Sequence, residues 1–345
     1  MKVHIYNGAE LSNKKAIFDV LQQCSCNSPY QYYNWLMHAY NESSKNPLKF
    51  FDRKVKIAEL DDNGVVVALG AIVMKKHGNA KGIMFLGYDT ASDYLDFLLS
   101  SGVKSEDIIY FIEEILRQTH CKQFYFSGLR TESLTYQALK NSEKFSQTGR
   151  ESCVEIVFTG DTFEEYWNTM RKSVRQNIRT ARNRLRNDGK TGEFILLDHS
   201  ISREKAAEIQ NLYEQRRAEQ NACRTGLKYT VYKIKRKIGL RKYNYLLENM
   251  VQNPDSVIIL YKIDGEIAAF GHGLKADSGK KCFMQVSFDG RFRRYSPGML
   301  MFCDYFDHLM EEHHRIDVDL TVGTEQYKYD LGGRDHEVVS GIYVI

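Results

Sequence analysis

The sequence predicts an α+β protein that contains two copies of one structural unit, and three observations support this prediction. Each half of the chain holds a β-hairpin pattern, the elements after each hairpin come in the same order, and corresponding residues are equally spaced in both halves. The hairpin patterns cover Val55–Val73 and Val257–Leu274. Repeated order with matched spacing is the signature of a duplicated unit. We expect each copy to be a mixed, mostly antiparallel sheet flanked by helices.

The hairpins are identified by their turns. Asn63-Gly64 and Asp264-Gly265 each separate two runs of β-favouring residues, and both positions of such a pair accept the positive φ that a two-residue hairpin turn needs. From the turn glycine to a tyrosine, Tyr94 in one half and Tyr295 in the other, the chain runs 30 residues each time.

A third strand, an amphipathic helix and a buried strand follow each hairpin. The third strands are expected at Gly82–Tyr88 and Lys281–Phe288. The buried strands, each ending at a glycine, are expected at Gln123–Gly128 and Asp317–Gly323. Four matching elements in the same order make chance similarity of short hairpins the weaker explanation.

The second half also contains a helical insertion before its hairpin. Apolar residues from Trp167 to Leu185 are spaced 3, 4, 4, 3 and 4 apart, which predicts one continuous helix. Thr162 with Glu165 would begin this helix as a capping box, and Asp188-Gly189 would end it.

The expected domains are residues 1–155 and 156–345. The insertion, residues 162–250, also carries a second expected helix at Ser202–Asn221 and a basic stretch at Lys233–Lys242. The apolar run Val65–Met74 is about half of what spans a bilayer, and the polar first residues contain no signal-peptide core. Seven scattered cysteines without metal-ligand spacing indicate a reduced, cytoplasmic protein with no metal site.

Positive charge is concentrated in the middle of the chain. Residues 171–242 contain 20 Lys and Arg against 7 Asp and Glu. Within the predicted helix, Arg175, Arg179 and Arg182 lie on one flank, where guanidinium groups suit phosphates and carboxylates. The flank would bind an anionic acceptor or RNA, or it would pair with the more acidic first half. A merely solvated basic face is a further alternative.

The segment Arg293–Met299 lies between a strand and a helix and has the composition of a phosphate-binding loop. Ser296 and Gly298 are small enough for backbone N–H groups to approach an anion, and the helix that follows adds its positive end. Arg293 or Arg294 would donate charged hydrogen bonds. Alternatively, Ser-Pro-Gly merely begins the helix. The matching segment of the first half, 90–96, lacks glycine and has two carboxylates.

Several motifs in order resemble the Gcn5-related (GNAT) acyltransferases. Arg293-x-x-Ser296-x-Gly298 resembles their pyrophosphate loop, with Ser in place of the first Gly. The wider pattern is similar to GNAT acetyltransferases associated with cellulose biosynthesis, which are related to Fem-type peptidoglycan transferases. It consists of Tyr32–Trp35, Asp93–Phe97, the arginine-rich helix 171–186, Asp264–Ala269, the Tyr-Ser-Pro-Gly turn and Gly323–Lys328.

The resemblance implies two tandem GNAT-like domains, a degenerate N-terminal one and a C-terminal one that binds acyl-CoA at Arg293, Arg294, Ser296, Gly298 and Met299. It implies direct attack by an amine acceptor, which we expect to be anionic and sugar-like. Tyr327 would protonate the leaving thiolate, and Lys328 would lie near the reacting centre.

Other expected site residues come from the chemistry of acyl transfer, which needs a base. Asp289 and Glu325 are the candidates, although both also fit solvated turn carboxylates. Arg175, Arg179, Arg182 and Tyr94 are expected to bind the acceptor.

Two other functions remain open. One is a Fem-type transferase of cell-envelope synthesis that uses aminoacyl-tRNA, gripped by the basic segment. The other is a non-enzymatic nucleic-acid-binding or scaffold protein that retains the fold.

Overall fold

The computed structural model describes residues 1–24, 28–44, 54–77, 80–88, 92–221 and 246–345. The basic stretch Lys233–Lys242 lies outside these ranges. The chain forms two compact units. The first contains residues 1–153, 276–278 and 336–345, and the second contains residues 154–275 and 279–335.

The strands, in chain order, are β1 (Lys2–Asn7), β2 (Lys54–Asp62), β3 (Val65–His77), β4 (Ala80–Phe85), β5 (Leu98–Leu99), β6 (Gln123–Arg130), β7 (Phe145–Thr159), β8 (Gly192–Leu197), β9 (Ser256–Ile263), β10 (Glu266–Lys275), β11 (Lys281–Phe288), β12 (Arg315–Val322) and β13 (Arg334–Val344).

The α-helices are α1 (Lys15–Leu21), α2 (Tyr33–Ser44), α3 (Ser105–Thr119), α4 (Leu134–Leu139), α5 (Phe163–Thr169), α6 (Lys172–Asn187), α7 (Arg203–Asn221), α8 (Pro297–His313) and α9 (Gln326–Asp330). Residues 246–252 are also helical.

The first unit has the strand order β1–β2–β3–β4–β6–β13. Its hairpin, third strand and helix α3 are followed by β6, which pairs parallel to β4. Residues 336–345 belong to this unit rather than to the second domain, where the sequence had placed them, because β13 pairs antiparallel with β6.

The second unit repeats the same order of elements. Its strands run β7–β12–β11–β10–β9–β8, with β7 contributing from Val154 onward. The hairpin β9–β10 and the third strand β11 are antiparallel, and after α8 the strand β12 returns parallel to β11. The predicted duplication is therefore present in the structure.

Both hairpin turns have the predicted backbone. Asn63 and Gly64 have φ values of 53° and 90°, and Asp264 and Gly265 have φ values of 52° and 86°. Two successive positive φ values are those of a two-residue turn whose twist matches the strands.

The long insertion helix predicted from Trp167 to Leu185 is two helices. The apolar stripe is real, since Val174, Ile178 and Leu185 are all buried. However, Met170 is extended, with ψ of 149°, so α5 ends at Thr169 and α6 begins at Lys172. The prediction of one helix was wrong because periodicity does not report a short break between two helices that share an apolar face. The expected ends hold, since Thr162 caps α5 and Asp188 follows α6.

The sheet of the second unit has two covered faces. Helices α5, α6 and α8 pack with Ile259, Tyr261 and Phe283 on one face. Helix α7 packs on the other face, where its residues Ile209 and Leu212 belong to a separate apolar cluster. The strand residues of that cluster are Ile258, Leu260, Ile267 and Phe270.

The core of the first unit contains a carboxyl group with an unusual pKa. Burial raises the pKa of Asp96 to about 6 from an ordinary 3.8, although the Thr135 hydroxyl and the Phe97 N–H, which lies 2.7 Å from Asp96 Oδ1, favour the charged form. The folded state therefore holds a proton between pH 4 and 6 that the unfolded state has lost, and stability falls as the pH rises through this window.

We expect Asp96→Asn to be more stable than the wild type above pH 6, because asparagine keeps the acceptor oxygen without the buried charge. The difference in the free energy of unfolding, variant minus wild type, should grow by about 2–3 kcal/mol between roughly pH 4 and pH 7. Urea denaturation across this range measures it. A difference that stays constant with pH would contradict the assignment.

Candidate functional site

Strands β11 and β12 separate part of the way along their length. Their paired register covers only Lys281–Cys282 against Val318–Asp319, and the Thr321 hydroxyl then donates to the Phe283 carbonyl at 3.1 Å. Beyond this point β11 continues to Phe288 while β12 diverges. Two parallel strands that diverge leave a cleft between them, and the last residues of β11, beyond this point, line a pocket.

The pocket has a volume of about 460 Å³, which is within the range of small-molecule and cofactor sites. It is lined by the end of β11, the first turn of α8, the segment before and within α9, and one residue of α7. These residues are Arg216, Val286, Ser287, Phe288, Arg293, Ser296, Pro297, Gly298, Met299, Phe302, Glu325 and Tyr327.

The loop before α8 has an uncommon backbone. Ser296 has φ of 48° and ψ of 50°, the left-handed conformation that glycine adopts without strain. The GNAT pyrophosphate loop, which this segment resembles, has glycine at this position, and the left-handed conformation explains that preference. A Cβ on Gly298 would meet nothing within 4 Å, so the chain opens there onto the pocket. Pro297 begins α8, whose positive end faces the same space.

The two arginines of the loop have different surroundings. Arg293 lines the pocket. Arg294 instead pairs with Asp188 at 3.2 Å, and its carbonyl accepts a hydrogen bond from Arg184 at 3.0 Å. The sequence analysis expected both arginines to bind the donor. Of the two, Arg293 lines the pocket and Arg294 does not, because Arg294 is paired with Asp188 at the end of α6.

Tyr327 and Glu325 both line the pocket. Burial raises the pKa of the Tyr327 phenol above its ordinary value, and the nearby Glu325 charge adds to the effect. The phenol is protonated at neutral pH, as that of an ordinary tyrosine is. Its ring stacks on Phe302, with 6.4 Å between the ring centroids.

Lys328 does not line the pocket. Its side chain is 3% exposed, and its ammonium donates to the carbonyls of Thr321, Val322 and Gly323 at 3.2, 3.0 and 3.1 Å. Glu325 pairs with it at 3.1 Å. The sequence analysis expected Lys328 near the reacting centre, but the structure places it at the end of β12. There it fixes the strand end, which is followed in the chain by the pocket residues Glu325 and Tyr327.

The end of β12 is strained. Thr321 has φ of 58°, and a β-branched residue in this region is a genuine outlier. Three contacts hold it: the Thr321 N–H donates to Asp319 Oδ1 at 2.7 Å, its hydroxyl donates to Phe283, and its carbonyl accepts from Lys328. Strain that the surroundings fix in this way is common at ligand sites.

Asp289 has a structural partner. Its carboxylate caps the turn after β11 by accepting from the Arg291 N–H at 2.9 Å, and it pairs with the Arg291 guanidinium at 2.7 Å. Burial alone would raise the pKa of Asp289, but the bonds from Arg291 outweigh it and leave the pKa below its ordinary value. Asp289 is thus a poor base and lies outside the pocket lining, unlike Glu325.

The arginines of α6 lie on one flank, as expected, but each described contact is structural. Arg175 donates to Asn168 at 2.7 Å, Arg179 lies over the Trp167 ring at 5.8 Å, and Arg182 pairs with Asp304 at 2.6 Å. None of the three lines the described pocket, so their contact with the acceptor stays a prediction.

Tyr94 lies in the core of the first unit. It is 2% exposed, and its hydroxyl lies 3.3 Å from His336 Nε2. One pocket of this unit, lined by residues such as Tyr30, Phe85 and Asp96, has a volume of about 10 Å³, the room of a single water. Aromatic side chains fill the space around it, since Phe85, Phe97 and Phe124 are in mutual ring contact.

Several pocket residues were missed in the sequence. Ser287 and Phe288 end the strand before the loop, and their position next to the loop in the predicted strand Lys281–Phe288 could have identified them. Arg216 lies on α7, far from the loop in sequence, with its guanidinium carbon 4.7 Å from the Phe288 ring centroid. No local motif distinguishes it from the other arginines of the basic segment.

Comparison with known proteins gives two kinds of match, one to a family model and one to solved structures. Residues 172–329 match the family model of an acetyltransferase (GNAT) domain. FemX is similar over 100% of this chain and 98% of its own, with a TM-score of 0.59 and 13% identity. A conserved protein of unknown function from Bacteroides thetaiotaomicron VPI-5482 is similar over 96% of this chain and 97% of its own, with a TM-score of 0.57 and 12% identity.

The C-terminal domain of a putative lysylphosphatidylglycerol synthetase from Agrobacterium fabrum is also similar, over 97% of this chain and 92% of its own, with a TM-score of 0.51 and 12% identity. No curated protein matches the chain. Within the described part of the chain, none of the helices has the length and apolar character needed to cross a membrane.

Proposed function

We propose that the chain is an acyltransferase that transfers an acyl group from acyl-CoA to an amine of an anionic, sugar-like acceptor. The match of residues 172–329 to the family model of an acetyltransferase (GNAT) domain supports this proposal. The element order repeated in the two units makes the fold a tandem GNAT-like one, as predicted from the sequence. The observation that carries the proposal is the pocket at the end of β11, which residues of the Arg293–Gly298 loop also line.

The donor would enter with its phosphates at the first turn of α8. The positive end of this helix, the open backbone at Gly298 and the Arg293 guanidinium all favour an anion there. The thioester would then extend along Val286–Phe288, where β11 has left β12 and its backbone is available to the ligand.

The transfer needs no covalent intermediate on the protein. The amine nitrogen of the acceptor attacks the thioester carbon, the C–N bond forms, and the C–S bond breaks. Glu325 would take the proton that the attacking nitrogen loses, directly or through water, and Tyr327 would give its phenol proton to the leaving thiolate. Both side chains line the pocket. Arg216, on the same lining, would face the anionic group of the acceptor.

The donor site is tested by calorimetric titration with acetyl-CoA and CoA of the wild type, Arg293→Ala and Arg294→Ala. We expect Arg293→Ala to weaken donor binding about tenfold, the loss of one charged hydrogen bond. Arg294→Ala is the matched control, because that side chain is paired with Asp188, and its affinity should stay within about twofold of the wild type. Equal losses in both variants, or a wild type that binds neither ligand, would refute the donor assignment.

A second candidate donor, an aminoacyl-tRNA, is favoured by one observation. Helix α6 carries six Lys and Arg and no Asp or Glu, and Arg179, Arg182 and Arg186 are exposed. Phosphate contacts along such a helix would make binding fall steeply with salt. If the wild type fails to bind CoA, titration with charged tRNA between about 50 and 200 mM salt is the next measurement, and a flat salt dependence would exclude this donor.

A further inference from the structure

The Arg293–Gly298 loop is bonded to the end of helix α6 through residues that do not line the pocket. Tyr295 donates its phenol hydrogen to Asp188 Oδ2 at 2.6 Å, and neither residue is part of the pocket lining. A hydroxyl that bonds to a carboxylate at this distance makes one of the stronger hydrogen bonds in proteins. Tyr295 is 4% exposed, and its ring belongs to the apolar cluster of the second unit. The residue just before Ser296 is therefore held both by packing and by a charged hydrogen bond.

Arg294 adds two further links to the same helix end. Its backbone carbonyl accepts a hydrogen bond from the Arg184 guanidinium at 3.0 Å, and its side chain pairs with Asp188 at 3.2 Å. The side chain of Arg294 is 61% exposed, so its ion pair contributes less than the bond from Tyr295. Two successive residues are thus bonded to the end of α6 at the point where the chain enters the left-handed Ser296.

Asp188 is itself fixed from two directions. Its N–H donates to the Arg184 carbonyl at 3.0 Å, which continues the bonding pattern of α6. Three residues later, Thr191 and the hairpin-turn residue Asp264 exchange two hydrogen bonds, both of 2.9 Å. Lys190 pairs with the Asp264 carboxylate at 2.7 Å. The Asp188 carboxylate therefore lies in a short segment that is anchored to a helix on one side and to the turn between β9 and β10 on the other.

The conformation that these contacts hold is the one that shapes the loop. A left-handed backbone is unfavourable for a residue with a Cβ and persists where the surroundings fix it. From this position the Ser296 carbonyl accepts from the Met299 and Leu300 N–H groups at 3.0 and 3.2 Å, which begins α8. A loop that leaves this conformation for part of the time binds its ligand more weakly, in proportion to the time that it spends elsewhere.

We propose that Asp188 is a positioning residue for the donor, which holds the Arg293–Gly298 loop in its binding conformation through the hydroxyl of Tyr295. The inference rests on the proposed function, because that function assigns the loop to the phosphates of acyl-CoA. Asp188 acts through Tyr295 and not by contact with the donor, since it does not line the pocket.

The first test is Tyr295→Phe, which removes the hydroxyl and retains both the ring and the Arg294–Asp188 pair. We expect the dissociation constant of acetyl-CoA, measured by calorimetry, to rise about three- to tenfold. The KM for acetyl-CoA should rise in parallel, with kcat at saturating donor unchanged. Tyr343→Phe is the matched control, because the Tyr343 hydroxyl donates to a carboxylate, Glu113, at 2.8 Å in the first unit. Its affinity for acetyl-CoA should equal that of the wild type.

A second variant removes the carboxylate. Asp188→Ala is made in the Arg294→Ala background, so that an arginine released from Asp188 cannot form a new contact with the donor. Compared with Arg294→Ala alone, the double variant should lose as much acetyl-CoA affinity as Tyr295→Phe loses relative to the wild type. Unequal losses, with the double variant close to Arg294→Ala, would show that the hydroxyl acts without Asp188 and would overturn the proposal.

Hydrogen exchange without any ligand tests the loop independently of the donor. In Tyr295→Phe we expect the Met299 and Leu300 amides to exchange about tenfold faster than in the wild type and in Tyr343→Phe. Unchanged exchange, or faster exchange with unchanged acetyl-CoA affinity, would overturn the positioning role. A wild type that binds no acetyl-CoA would instead refute the proposed donor, and the exchange rates would still decide whether Tyr295 and Asp188 hold the loop.

Discussion

Replacing Lys328 by methionine is expected to lower the free energy of unfolding by about 1–3 kcal/mol, the cost of leaving buried acceptors without a hydrogen-bond partner. The ammonium is the common donor to three consecutive carbonyls at the end of β12. Methionine fills a similar volume but donates nothing, so these acceptors would lose their partner in a place that water reaches poorly. The strained Thr321 would also lose one of the contacts that fix it.

Lys205→Met is the matched control for this variant. Lys205 pairs with Glu208 at 2.8 Å on the surface of α7, and an exposed pair of this kind contributes about 0.2–1 kcal/mol. Urea denaturation of both variants, followed by fluorescence, gives the comparison. Similar small losses for Lys328→Met and Lys205→Met would show that the end of β12 does not depend on the buried ammonium.

Tyr327→Phe is expected to reduce kcat by about 10²-fold or more, the range of general acid catalysis, with acetyl-CoA affinity unchanged. The phenol lines the pocket, and the proposed function makes it the donor of a proton to the leaving thiolate. Phenylalanine retains the stacking on Phe302 and removes only the hydroxyl. The rate of CoA release with an amine acceptor gives kcat, and calorimetry gives the affinity for the donor.

Tyr329→Phe controls for loss of a hydroxyl on the same short helix. Its phenol donates to Asp335 at 2.7 Å and does not line the pocket, so kcat should remain close to that of the wild type. A Tyr327→Phe variant as active as Tyr329→Phe would remove Tyr327 from the chemistry and leave the thiolate to be protonated by solvent.

The features that depend on local sequence were predictable. The turns at Asn63-Gly64 and Asp264-Gly265 have the expected φ values, because the conformational preference belongs to the residues themselves. The Arg293–Gly298 loop could be found for a similar reason, since small residues, proline and arginine before a helix form a local pattern. The order of elements followed from hydrophobic periodicity.

The features that depend on distant partners were not predictable. Arg293 and Arg294 are adjacent and chemically identical, and only the position of Asp188 directs Arg294 away from the pocket. Lys328 was expected at the reacting centre, but three carbonyls at the end of β12 bind it. Arg216 reaches the pocket because α7 crosses the sheet. Each of these depends on contacts that a single sequence does not encode locally.

The left-handed conformation of Ser296 affects when the Arg293–Gly298 loop becomes ordered. Glycine at this position would leave the loop many conformations, and a ligand would have to remove that freedom as it binds. Serine restricts the unfolded chain and accepts a strained φ in the folded one. The loop therefore loses its conformational entropy when the protein folds and not when a ligand binds. It is already ordered before the ligand arrives. A Ser296→Gly enzyme should accordingly bind its donor with a less favourable entropy and a more favourable enthalpy.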